Sequence, residues 1–395
     1  MLNHTLLSRR VHTPVIFHSL AVILTAFAVV VAATGCTVTA PAQAAESCSG
    51  STAPAAVILV TATSAEPAPA LSASVHTALT AAGAADDACV AVAVGRHPLT
   101  FLPLTPFRRN GKPEHGSLRS DLLQQNLKAL DAVLAASRET EPGLDLVGAI
   151  RTVALRAPLA RRLIVVSSGV STRDPLDLRT LGWALDPGPV VSRLEAAREL
   201  ANLNGWQVAF VGLGQTAGRQ PRPSPLLGQG LQALWTAICR ASGAARCTVD
   251  PALVGDAPPT ADNDVPVVPL PAPTRTPAGF TLPGSLLFAL GQSTLSPSAH
   301  AALAEVAAEI VADHRPLTVI GHADASTGTP EVNRQLSDER AHAVATELEA
   351  LGVPAQQISA VRGDGSAGFS AASEHAHPEL ISQHRSVELH FAHSS

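Results

Sequence analysis

Asp324 and Arg340 lie in the stretch TVIGHADASTGTPEVNRQLSDERA, Thr318 to Ala341. A carboxylate accepts hydrogen bonds from an ammonium, and a guanidinium forks onto a carboxylate. Held on neighbouring rigid elements, the two would suit a zwitterionic ligand. The same pair could instead form a surface salt bridge, which is common and weak. The elements that position them can be read from the sequence. Leu317 to Ile320 is a short apolar run rich in β-branched residues, bounded by Pro316 and Gly321, which predicts a strand. Gly321 to Pro330 is rich in Gly, Ser and Thr and predicts a loop carrying Asp324. From Asn333 to Leu351, the residues Leu336, Ala341, Val344, Ala345 and Leu348 recur at helical spacing, so Arg340 falls a turn or so into a helix.

GHAD, TPE, Asn333, Leu336-Ser337 and Arg340-Ala341 resemble the peptidoglycan-binding domain shared by OmpA C-terminal regions and the peptidoglycan-associated lipoproteins. The TPE-x-N piece is nearest the latter. The resemblance runs from Leu286 to the end of the chain. LLFALGQSTLSPSAHAALAEVA is similar to the family's opening strand and first helix, ISAVRGDG to its third strand, and QHRSVELHF to its closing strand. It implies a non-catalytic α+β domain over residues 281–395, of order βαβαβ(α)β with a mixed sheet. It also implies that Asp324 and Arg340 grip the amine and carboxylate of diaminopimelate in the peptide stem. Asn333 and Arg385 would stand nearby, with Gly321 and Leu336 in the same site. Two departures stand out. The loop Ala325 to Gly328 is one residue longer than the commonest version, and the usual Arg-Arg before the last strand is His384-Arg385-Ser386.

The chain has 395 residues, room for two ordinary domains and further segments. Apolar residues make up 46%, yet aromatics are only 3% and Tyr is absent, so the cores must be built from Ala, Val and Leu. A transmembrane β-barrel needs aromatic girdles and repeated alternating segments, and neither is present, so the resemblance does not imply a barrel. A net charge of -5 without a basic stripe argues against nucleic acid as a partner.

Residues 1–35 read as an export signal. Arg9 and Arg10 precede the apolar run LAVILTAFAVVVAA, which is shorter than the roughly 20 residues a spanning helix needs. Ala33-Thr34-Gly35-Cys36 resembles a lipobox, which would make Cys36 the lipidation site. Ala42-Gln43-Ala44 offers ordinary cleavage before Ala45, and an uncleaved anchor is a third route. All three place the remainder outside the cytoplasm, in the cell envelope, where cysteines usually pair. Cys48, Cys89, Cys239 and Cys247 then allow three connectivities, among them Cys239 with Cys247 and Cys48 with Cys89.

Residues 52–250 alternate short, mostly apolar strand signals, such as Ala56 to Val60, Leu163 to Val166 and Gln207 to Val211, with helical stretches such as Val190 to Ala201. This predicts a doubly wound α/β domain with a sheet covered on both faces. VILVTATSAEP, GLDLVGAIRTVA and RRLIVVSSGVSTRD resemble the first strand and loop, third helix and fourth strand of a von Willebrand factor A domain. That family holds a metal on an Asp-x-Ser-x-Ser loop. Here the loop begins at Thr61, and Ser168 replaces a later Asp. Hydroxyls alone bind a hard divalent ion poorly, so no metal and no cofactor are expected, although Glu66, Asp145 and Asp174 could supply oxygens. Residues 251–280 are dense in proline and predict a semi-rigid extended linker that holds the terminal domain away from its neighbour.

Weaker signals point to no chemistry. Gly212-Leu213-Gly214 lacks the rest of a dinucleotide fingerprint, and His375, His377, His384, His390 and His393 read as solvent-exposed histidines. No activated nucleophile or paired carboxylates suggest a wall hydrolase. The sequence therefore predicts a membrane-anchored envelope protein, lipidated at Cys36, that binds peptidoglycan without catalysis and tethers the membrane or an attached α/β module to the wall. In the alternative, the middle domain binds a protein partner as an adhesion or scaffold module, and the terminal domain is only its anchor. Mass spectrometry of the mature N-terminus checks the export reading. A diacylated Cys36 is expected; a start at Ala45 or an intact Met1 would exclude lipidation.

Overall fold

The computed structural model of the protein describes residues 53–252 and 255–392. The export segment, Cys36, Cys48 and His393 lie outside the described residues. No helix among the described residues is long and apolar enough to cross a membrane.

The first half of the chain runs β1 (Ala56–Val60), α1 (Ala73–Ala82), β2 (Cys89–Val94), β3 (Thr100–Pro103), α2 (Arg119–Ala136), α3 (Leu146–Arg156) and β4 (Arg162–Val166). A small ribbon, β5 (Thr172–Arg173) and β6 (Leu176–Asp177), leads into the one-turn helix α4 (Leu178–Leu181). Then come α5 (Pro187–Ala196), β7 (Gln207–Val211), α6 (Pro225–Ala241) and β8 (Arg246–Asp250). The sheet order is β3-β2-β1-β4-β7-β8. Only the edge strand β3 is antiparallel to its neighbour.

All five residues of β1 are buried because helices cover both faces of the sheet. Val57 and Leu59 join the core with Ile150, Trp206 and Trp235, while Ile58 and Val60 join Leu79, Leu127 and Leu134 on the other side. β8 was not expected from the sequence. Its run Arg-Cys-Thr-Val-Asp is an edge strand, mostly half-buried, and lacks the continuous apolar character of the central strands. Its Cys247 is joined to Cys239 of α6, with Cα atoms 6.2 Å apart. Cys89 is buried in β2.

The second half comprises β9 (Thr274–Thr276), β10 (Gly279–Pro283), the turn α7 (Gly284–Leu287), α8 (Pro297–Asp313), β11 (Leu317–His322), α9 (Pro330–Ala350), β12 (Ile358–Gly365), α10 (Ala371–Ala376), α11 (Glu379–His384) and β13 (Ser386–Phe391). Its mixed sheet is ordered β12-β11-β13-β10-β9, with β11 parallel to β12 and antiparallel to β13. Leu303 and Ile310 of α8 and Val344 and Leu348 of α9 pack with Leu317, Val319 and Leu389 of the sheet. The opening strand is β10, not the expected segment starting at Leu286. Phe280 and Leu282 bury at alternate positions, and Pro283 ends the strand, leaving Leu286 in the following turn.

Helices α5, α6, α8 and α9 open alike, with a side-chain cap followed by proline: Asp186-Pro187, Ser224-Pro225, Ser296-Pro297 and Thr329-Pro330. The cap accepts from an otherwise orphaned helical N–H, and proline supplies a preset φ where no donor is needed.

The Pro-rich segment does not hold the halves apart. Asn263 accepts from the Ser64 amide at 2.8 Å and donates to the Glu141 carbonyl at 2.7 Å. Gln220 exchanges two hydrogen bonds with the Val268 backbone, and Trp183 donates to the Pro269 carbonyl at 2.9 Å. Val265 and Val268 are buried. Proline-rich chain brings few backbone donors that need partners, so it lies along the first half at little cost in unpaired polar groups. Both sheets thus belong to one compact unit. Reducing the Cys239–Cys247 bond, or Cys247→Ser, should lower stability by about 2–3 kcal/mol, because the bridge closes a short loop in the unfolded chain. Urea unfolding followed by far-UV circular dichroism checks this.

Candidate functional site

The site sits where the β11–α9 loop faces the start of β13. α9 lies so close to the sheet that a Cβ on Gly321 would come 2.0 Å from the Ser337 carbonyl oxygen, and one on Gly363 would come 2.2 Å from the Asp338 amide nitrogen. Gly321, expected in the ligand site, therefore serves this close approach of backbones. Ser337 completes it by accepting from the Gly365 amide at 2.8 Å. Leu336 is half-buried on the same helix.

Asp324 and Arg340 are each only 4% exposed, so a surface salt bridge between them is excluded. Nor do they pair in the interior. Asp324 accepts at Oδ1 from the Ser326 hydroxyl (2.8 Å), the Thr327 amide (3.1 Å) and the Thr327 hydroxyl (2.9 Å). Its Oδ2 accepts from Arg385 Nε at 2.5 Å. Asn333 donates to the Asp324 carbonyl at 2.8 Å, which ties the loop to α9. Burial pushes the Asp324 carboxyl up, but the Arg385 charge and the converging donors outweigh it and hold the carboxyl below its usual range.

Arg385 is paired twice. Besides Asp324 it donates from Nη2 to Asp186 Oδ2 at 2.8 Å, and Asp186 is the cap of α5 in the other half of the molecule. Burial works against the Arg385 charge, but the two carboxylates more than restore it and raise its pKa. Arg340 is treated differently. Its Nε donates to the Gln292 carbonyl at 2.9 Å, and its guanidinium carbon lies 5.1 Å from the centre of the Phe288 ring. Among the described residues its Nη nitrogens have no hydrogen-bond partner, and it forms no ion pair. Burial, with the like charge of Arg385, pushes its pKa down to about 10, against a smaller opposing pull from Asp324. Carrying an unpaired cation there costs on the order of a few kcal/mol. A cavity of about 250 Å³ opens beside it, lined by Trp183, Leu227, Phe288, Leu290, Arg340 and Arg385.

Sequence reasoning missed Glu374. It is fully buried and accepts from the Ala325 and Ser326 amides, at 3.0 and 2.5 Å, so it fixes the longer loop. It also pairs with His384 Nδ1 at 2.6 Å. His384 was expected among exposed histidines. It is instead largely enclosed, stacked 3.8 Å from Phe369 because it stands where the chain turns from α11 into β13. The place of a second arginine before the strand is thus taken by a ring that braces the loop.

Residues 287–378 match the OmpA family. The chain carries an OmpA-family domain at its C-terminus. The matched region includes Asp324, Asn333 and Arg340 and ends before Arg385. Outer membrane protein A of Shigella flexneri is 35% identical over 102 residues, covering 25% of this chain and 29% of that protein. Outer membrane protein A of Yersinia pseudotuberculosis serotype I (strain IP32953) is 35% identical over 112 residues, 27% of this chain and 31% of that protein. The chain thus spans less than a third of the length of these relatives. Similar solved structures include the peptidoglycan-associated lipoprotein from Burkholderia pseudomallei, at 25% identity and a TM-score of 0.22, covering 27% of this chain and 88% of that one. The cell wall anchor of the T6SS from Pseudomonas aeruginosa is 28% identical, with a TM-score of 0.25, covering 29% and 80%.

In the first half, the loop after β1 closes on Glu66. Its buried carboxylate accepts from the hydroxyls of Thr61 (2.7 Å), Thr63 (2.8 Å) and Ser167 (2.9 Å), and from the amides of Thr63 and Ser168. Of the oxygens offered above to a metal, those of Glu66 are therefore occupied by these internal donors, and Asp174 lies exposed in the turn between β5 and β6. Asp145 caps α3. Among the described residues no group of three or more His, Cys, Asp or Glu is arranged to hold a metal ion.

The two arginine environments predict different stability effects. Asp324→Ala strands part of a buried pair and should destabilise the OmpA-family domain by about 3 kcal/mol, the low end for such pairs because Asp186 remains. Arg340→Met removes an unpaired buried cation and should leave stability within about 1 kcal/mol of wild type. Denaturant titration of the three proteins checks both.

Proposed function

We propose that the protein is a non-catalytic cell-envelope protein whose OmpA-family domain binds peptidoglycan through the diaminopimelate of the peptide stem. The observation that carries this reading is Arg340: a buried guanidinium without a carboxylate partner among the described residues, at the edge of a cavity and close to an ionised Asp324. A ligand carboxylate would satisfy the open Nη donors and offset the cost of burying the charge. A ligand ammonium would share Asp324 with Arg385. The two seats, cationic and anionic, match the zwitterionic end of a diaminopimelate side chain.

The preceding six-stranded unit is read as a von Willebrand factor A-like module. Its strand order with one antiparallel edge supports this, and the Glu66 cradle stands in the place of that family's metal loop. Anchored at Cys36, the chain would tether the membrane and this module to the wall.

Co-sedimentation of the exported chain with diaminopimelate-type peptidoglycan tests the reading. Arg340→Met should lose roughly 1.5–3 kcal/mol of binding, about ten- to more than a hundredfold in affinity, while staying folded. Arg340→Lys should also lose affinity, because a point charge cannot reproduce the planar fork. Equal retention of folded wild type and Arg340→Met would remove the assignment.

A further inference from the structure

We propose that Asp186 is an internal competitor at this site: by pairing with Arg385 it latches the OmpA-family domain against the start of α5, and stem peptide is admitted when that contact opens. The proposal rests on the peptidoglycan reading of Asp324 and Arg340.

Three observations converge on it. First, Asp186 holds Arg385, the arginine that shares Asp324 with the ligand ammonium, through a carboxylate oxygen at 2.8 Å from a guanidinium nitrogen, with both side chains nine-tenths or more buried. Its other oxygen accepts from the Gly188 amide at 3.1 Å, so the helix start holds the carboxylate in place. Second, the pair joins the two halves of the molecule beside the cavity at Arg340, whose walls come from both: Trp183 and Leu227 from one, Phe288 and Leu290 from the other. A ligand reaching Arg340 and Asp324 therefore meets the first half of the chain. Third, polar contacts bridge the seam beside the pair. Ser382 of α11 donates to the Leu181 carbonyl at 2.5 Å, and Arg193 stands 3.9 Å from Glu379. Gly182 makes room for this seam, since a Cβ there would come 2.7 Å from the Ser382 hydroxyl. Polar contacts of this kind resemble separable domain interfaces more than a continuous core.

A closed state of this kind reduces apparent affinity by the fraction of molecules that are open. Weakening the latch without touching the ligand seats should therefore tighten binding. The test compares the exported full chain as wild type, Asp186→Asn and Ser382→Ala, with folding checked by circular dichroism. Ser382→Ala loosens the same seam away from Arg385 and keeps the test decisive if Asp186→Asn fails to fold. Two quantities are read: retention on diaminopimelate-type peptidoglycan, and labelling of Arg385 by phenylglyoxal mapped by peptide mass spectrometry. Asp186→Asn should bind about tenfold more tightly and Ser382→Ala severalfold, with Arg385 labelled faster in both. Retention and labelling equal to wild type in both variants would overturn the latch and leave the peptidoglycan reading standing on Arg340. Faster labelling with no retention of any of the three chains would overturn the peptidoglycan reading, and the competition with it.

Discussion

A guanidinium taken out of water needs carboxylates close by, and Arg385 receives them from opposite sides of the molecule. That double pairing governs much of what surrounds it. It keeps Asp324 ionised and draws the β11–α9 loop against the start of β13. It also brings the cap of α5 over the OmpA-family domain, so that two sheets with separate cores share one buried charge network. The pairing carries specificity as well as energy, since neither half alone supplies both carboxylates.

Around this network the backbone is drawn tight. Gly321 and Gly363 allow α9 to lie on β11 and β12 without side chains between them, and Ser337 fastens the contact. The height of Arg340 above the sheet follows from that packing. The site then divides its two arginines by function: Arg385 is neutralised by the protein, whereas Arg340 is left with only a carbonyl and an aromatic face for company.

Much of the scaffold could be read from the sequence because its signals are local. The five apolar residues of β1 predicted a strand with the bounds the structure shows, and Gln207 to Val211 did likewise. Helix starts were placed less well. α5 was expected from Val190, where apolar periodicity begins, but its cap and proline at Asp186-Pro187 mark the true start. That oversight also hid the partner of Arg385. The positions of Asp324, Asn333 and Arg340 were legible, but their pairing was not. Which cation meets Asp324 depends on the arrival of Arg385 at the start of β13, on the opposite side of β11 from β12, and the Asp186 contact joins residues about half the chain apart. Charge type and helical phase carry no information at that range. Glu374 was invisible for the same reason, since a lone acidic residue in a polar loop gives no sign that two amides converge on it.

The path of the Pro-rich segment carries a mechanical implication. Its anchoring at Asn263, Val268 and Pro269 is through hydrogen bonds that each involve a side chain, so what lies along the first half is contour length in storage. Paid out as polyproline II at about 3.1 Å per residue, the segment 251–273 that precedes β9 would span roughly 70 Å. The same chain would then have two reaches: folded back, with the terminal domain at its own flank, or extended, with a radius set by proline.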